Sequence, residues 1–280
     1  MEVLGAEFEA RGQANFNMAL GGATAGPDNT IVPLYELAET IVPRDPTDPD
    51  DIPSTELATF AQQVDAFEGA GFAEKTGSNP LVTILLGAND FGQNPLVNPA
   101  TVIGSIVSGI LDVAALGPQY DSFLVGNLPD FSIQPSNLAL NPLDQFFIRE
   151  QSQLFNETLT EALGLLSLVS GLEIEVFDFF GATDAMYLEA IDAALILDDT
   201  CLDALATFEL DPGNQCLIQG SSSAFLWLDN VHPGDFAHQR WGAAAIAQVQ
   251  DRLAPIPLPA GIVLFLTGFA GLAATRKRAA

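Results

Sequence analysis

Apolar positions along this chain follow two rhythms, short unbroken runs and longer stretches at helical spacing. Asn15–Leu20, Leu81–Leu86, Ser122–Val125 and Glu173–Phe177 read as strands, the first and last mixing in polar residues. Leu57, Phe60, Ala61, Val64 and Phe67 recur at helical spacing behind Ser54, which is placed to cap them. Thr101 to Leu116 is mostly apolar and predicts a largely buried helix. Leu143 to Leu168 predicts a long one, with Phe146, Phe147, Leu154, Phe155, Leu159, Ala162 and Leu166 on one face. A last helix opens near Pro233 and runs to about Leu253, with Trp241, Ala245 and Val249 inward. Strands alternating with helices imply an α/β fold, a parallel sheet covered on both faces. Such sheets bind ligands beyond the carboxyl ends of their strands.

Charge narrows the partners. Nine Lys and Arg stand against 36 Asp and Glu, a net charge of −27. Nothing here neutralises a phosphate backbone, so nucleic acid is excluded. Arg276, Lys277 and Arg278 close the chain, and residues 1–275 alone carry −30. That imbalance suits an exported protein in a salty or extracellular setting. The acidic, Pro-rich loop PRDPTDPDDIP (43–53) is a solvated run first and a calcium loop second.

Both ends depart from an ordinary soluble domain. MEVLGAEFEARGQ has neither the basic nor the apolar region of a signal peptide. Leu258 to Thr275 holds 18 residues without a charge and is followed by the basic triplet. As a helix it would reach about 27 Å, enough to span a bilayer core marginally. A buried terminal helix is the alternative; the terminal positive cluster favours a tail anchor. Cys201 and Cys216 lie 15 positions apart in a loop-like region. In an exported protein a disulfide is the natural reading, with two buried thiols the alternative. Neither cysteine has a His nearby, and no metal or organic cofactor is expected.

Three motifs fall where a strand would end. Leu81–Leu86 runs into Gly87-Ala88-Asn89-Asp90, a turn sequence that also offers an amide donor for developing negative charge. Asn15–Leu20 runs into Gly21-Gly22-Ala23-Thr24, with backbone N–H groups suited to the same task. Asp229-Asn230-Val231-His232-Pro233 places a carboxylate three residues before one of only two histidines. It can accept the Nδ1 proton and leave Nε2 free as a general base. His238 is read as a packing residue.

Together these blocks resemble the SGNH/GDSL hydrolases, in particular their secreted esterase-like branch, over residues 1–254. Asn17 to Thr24 is similar to that branch's block with the oxyanion glycine, which makes Gly22 that glycine. Gly87–Asp90 matches the G-x-N-D block, with Asn89 as the oxyanion side chain. Asp229 and His232 match the closing D-x-x-H block, and Asn127-Leu128-Pro129-Asp130 resembles a further recurring segment. The resemblance implies a three-layer α/β/α, flavodoxin-like fold and hydrolysis of an ester. The substrate would be a lipid, a short-chain ester or an acetylated polysaccharide.

The family's nucleophile, a serine in G-D-S ahead of the glycine block, has no counterpart: the first serine is Ser54. Met1–Ala10 looks like the tail of the helix that should follow it. Two explanations compete. In the favoured one the gene product begins further upstream, and this chain lacks the first strand and nucleophile. In the other the chain is a non-catalytic relic, a surface or matrix protein that binds a polysaccharide or partner. Either way, ester hydrolysis by these 280 residues alone is not expected.

The tail carries a second resemblance. Pro255-Ile256-Pro257-Leu258-Pro259-Ala260, the apolar stretch and the basic end are similar to the VPLPA variant of the PEP-CTERM sorting signal, over residues 255–280. This implies a transmembrane helix, processing by an exosortase-type enzyme, and export to the envelope or surface of a Gram-negative bacterium.

Overall fold

A computed structural model describes residues 2–19, 22–33, 52, 54–201 and 224–250. Three parallel strands form its centre: β1 (Val82–Ile84), β2 (Ser122–Gly126) and β3 (Glu173–Phe177), in the order β1-β2-β3. Val82 pairs with Phe123 and Ile84 with Val125; Ser122 pairs with Glu173 and Gly126 with Phe177. Every residue of β2 is buried, as a central strand covered on both faces requires.

Successive side chains of β2 point to opposite faces and organise two cores. Phe123 and Val125 join the larger, with Phe60, Val64, Val102, Ile106, Ile110, Phe155, Leu159 and Leu163. These come from α2 (Phe60–Gly69), α4 (Pro99–Ala115) and α6 (Pro142–Ser170). Leu124 faces the other way, onto Leu4 of α1 (Glu2–Ala10) and Ala245 of α8 (Asp235–Gln248), with Val249 just beyond it. The molecule is therefore an α/β protein with helices on both faces of a parallel sheet.

Local chemistry sets the helix ends. Asn98 and Asn141 each accept backbone N–H bonds in the first turn of α4 and α6, with proline at the first helical position. Gly171, left-handed at φ 76°, ends α6. Beyond β3, Asp178 caps α7 (Phe179–Asp192). A second parallel pair follows, β4 (Ile196–Thr200) with β5 (Phe225–Trp227). Met186, Ala190, Leu226, Trp227 and Ala237 make its own small core with α7 and α8. Neither α7 nor this second sheet was legible in the hydrophobic pattern.

Several expectations need correction. Residues 13–19 form no strand: Asn17 bonds its own backbone at Ala19, and Asn15 bonds Glu9. Asparagine side chains compete in this way with a sheet ladder. Phe16 anchors the segment by stacking on Phe72, ring centroids 4.9 Å apart. Ser54 opens only a short 3-10 turn, and Thr59 caps α2 instead. Ala61 is exposed. On α6, Phe155, Leu159 and Leu166 face the core as expected, whereas Phe146, Phe147 and Leu154 are more than half exposed. Among the described residues no helix is long and apolar enough to cross a membrane. The proposed span and sorting motif lie outside the described residues, as does loop 43–53 except Ile52.

Candidate functional site

The loop after β1 carries the first group of candidates. Gly87 turns the chain at φ 109°, a conformation that side chains rarely adopt, and opens α3 (Ala88–Gln93). A Cβ at this position would also sit 3.4 Å from the Phe155 ring. Three polar side chains of α3 then grip the glycine block. Asn89 Nδ2 donates to the Ala23 carbonyl at 2.9 Å. The Asp90 carboxylate accepts the N–H groups of Ala25 and Gly26, both at 2.8 Å. Gln93 donates to the Gly22 carbonyl at 2.9 Å and accepts the Thr30 N–H at 2.7 Å.

Gly22 and Asn89 are thus brought into one cluster. Gly22 is itself left-handed, at φ 86°. Asn29 adds a bond to its carbonyl at 3.1 Å and one to the Ala58 carbonyl at 2.6 Å. An amide nitrogen carries two protons, so Asn89 keeps a second N–H beyond the one given to Ala23. Asp90 is 5% exposed, and this burial pushes its pKa up against the lowering pull of the Ala25 and Gly26 N–H groups. Asp90, Gln93 and Asn29 had no assigned role in the sequence reading; only Asp90 belonged to a recognised block.

The second group follows β5. Asp229 Oδ1 accepts the backbone N–H of Val231 at 2.8 Å and of His232 at 2.6 Å. Its Oδ2 meets His232 Nδ1 at 2.8 Å. Burial works to raise the pKa of this carboxyl, but the two N–H groups and the imidazole outweigh it and hold the pKa below the usual value. The carboxylate therefore stays charged beside the ring and fixes its orientation. The His232 side chain is 73% exposed, and its Nε2 has no partner among the described residues. His238 packs edge-on to Trp241, centroids 5.9 Å apart.

Asn89 lies beyond the carboxyl end of β1 in the three-stranded sheet, and the Asp229–His232 pair beyond that of β5 in the separate two-stranded one. Among the described residues no hydrogen bond or ion pair joins one group to the other. An open recess of about 750 Å³, lined by Thr76, Gly77, Ser78 and Pro118, sits at the opposite, amino ends of β1 and β2. None of the candidate groups lines it. Cys201 is buried and disulfide-bonded; Cys216 lies outside the described residues. Among the described residues no cluster of His, Cys, Asp and Glu could hold a metal ion.

The Asn127–Asp130 segment after β2 also takes on a definite role. Asn127 donates to Asp178 and accepts the Phe180 N–H, and Leu128 exchanges two 2.8 Å bonds with Asn156. Asp130 pairs with Arg149, a residue that hydrophobic patterning had no means to single out. No protein-family model matches this chain, and no curated protein matches it either.

Proposed function

We propose that the chain carries the base and oxyanion half of an SGNH/GDSL-type ester hydrolase. The observation that carries this reading is the Asp229–His232 pair, a held imidazole with its Nε2 turned free. The cluster around Gly22 and Asn89 supports it, because Asn89 Nδ2 is held against the glycine block by its bond to the Ala23 carbonyl and keeps a second N–H. In the proposed reaction a serine hydroxyl attacks the ester carbonyl carbon while His232 Nε2 takes its proton. Gly22 N–H and Asn89 Nδ2 hold the oxyanion. The intermediate collapses, the alkoxide leaves with the proton from His232, and water repeats the cycle on the acyl-enzyme. The serine block is absent from these 280 residues. Residues 255–280 complete the proposal as a VPLPA-type sorting signal, with a membrane span and exosortase-type processing at the envelope.

The deciding experiment reads the DNA ahead of Met1 and assays the in-frame product on p-nitrophenyl esters. Hydrolysis that disappears in His232→Ala supports the proposal. A stop codon directly upstream, with no His232-dependent hydrolysis, overturns it. That outcome favours the second reading, a non-catalytic surface protein binding a polysaccharide or partner. Its supporting observation is a row of exposed apolar residues on α6, Leu143, Phe147, Leu154, Leu165 and Leu168, on the side away from the core.

A further inference from the structure

Arg149 projects from α6 between the loop after β2 and the helix α7. Its Nη1 pairs with Asp130, and its guanidinium grips both oxygens of Asp184 on α7, at 3.1 and 2.7 Å. The same group lies 4.6 Å over the Phe180 ring. The Asp130 side chain is 0% exposed, and a buried carboxylate is tolerated only with a counter-charge and filled hydrogen bonds. Arg149 supplies the first. Ser132 supplies the second, donating its N–H at 2.9 Å and its hydroxyl at 2.6 Å to Asp130 Oδ1.

That arrangement fixes the 3-10 turn Phe131–Ile133, and the chain just beyond it, Gln134 and the short α5 (Pro135–Leu138), reaches the histidine loop. Gln134 Nε2 donates to the Val231 carbonyl at 3.3 Å, and the Ser136 N–H to the Asn230 carbonyl at 3.1 Å. Asn230 and Val231 are the two residues between Asp229 and His232. Asp229 holds this loop from inside through the Val231 and His232 N–H groups. The 134–136 segment holds it from outside, and Arg149 ties that segment to α6 and α7.

We infer that Arg149 is a positioning residue for His232, acting through Asp130 and the 134–136 segment on the Asp229–His232 loop. A guanidinium suits the task because its planar fork engages two carboxylates and an aromatic face at once. The catalytic meaning of this link rests on the ester-hydrolase reading, but the link itself does not.

The test is NMR on the 280-residue chain, whose two histidines give two imidazole spin systems, assigned with His238→Gln. In Arg149→Met the Val231 and His232 amides should exchange about tenfold faster, while Ala245 in α8 is unchanged, as local opening requires. The His232 ring should also lose its single Nδ1–H tautomer signature. Arg149→Lys, which keeps a charge opposite Asp130, should restore part of both signals. Gln134→Ala cuts one link without touching the ion pairs and should show the same loop-confined change at smaller size. Unchanged loop amides and ring spectrum in Arg149→Met would overturn the inference. So would equal acceleration of every amide, which marks a general loss of stability. Neither readout uses ester hydrolysis, so an inactive protein with a tethered loop fails only the functional proposal.

Discussion

At the scale of single residues, the two candidate groups differ in how their carboxylates are held. Asp229 has a folded pKa below that of an ordinary aspartate. Its ionised form therefore stabilises the fold above that value, and the contribution is lost as pH falls through the folded pKa. The stability difference between wild type and Asp229→Asn, followed by urea unfolding, should shrink as pH drops below about 4. Asp90 carries the opposite sign, because burial raises its folded pKa above that of an ordinary aspartate. Its charging costs stability as pH rises through that value, a cost accepted where Ala25 and Gly26 must be fixed beside Asn89. On the ester-hydrolase proposal, Asn89→Ala should lower the kcat of the active protein by about 10²–10³-fold, the usual cost of one oxyanion donor. Equal kcat in the two proteins would remove Asn89 from the chemistry. The G-x-N-D and D-x-x-H spacings made Asn89, Asp229 and His232 visible in the sequence. The roles of Asp90, Gln93 and Arg149 were not, since their partners stand 19 to 71 positions away.

At the scale of elements, α6 shows where periodicity stops being decisive. The helix has apolar residues on two opposite sides, and both fit a 3.6-residue repeat. Only contact with Phe123 and Val125 selects Phe155, Leu159, Leu163 and Leu166 as the inner row. Leu159→Ala should cost about 2–5 kcal/mol in urea unfolding, the range for a buried leucine. Phe147→Ala, from the outer row, should stay within about 0.5 kcal/mol, as surface substitutions do. Similar costs at both positions would mean that the outer row is also packed. The failed strand at 15–19 teaches a related lesson. A strand exists only when paired, and polar Asn15 and Asn17 found local partners first.

For the whole molecule, the parallel sheet and its second, two-stranded neighbour meet around α7 and α8. The disulfide at Cys201 borders this second unit, where its N–H donates to the Trp227 carbonyl at 3.1 Å. Two residues further on lies Asp229. If the bond closes the Cys201–Cys216 loop, reduction should cost about 3 kcal/mol, the value for some 15 residues. Melts with and without reductant measure this, and an unchanged midpoint would show that the bond adds nothing to stability.

The sequence by itself determined the α/β class, strands within 81–86, at 122–125 and at 173–177, and the long helices, because unbroken apolar runs and helical spacing are local properties. It also marked Gly22, Asn89, Asp229 and His232, because each block is contiguous. Tertiary structure alone decided which face of α6 is inside, and that residues 196–200 and 225–227 pair. It also decided that α3 clamps the glycine block and that Arg149 reaches the histidine loop through Asp130. Those outcomes depend on contacts between distant segments, and the energy of such contacts is set by packing and burial that no local window contains.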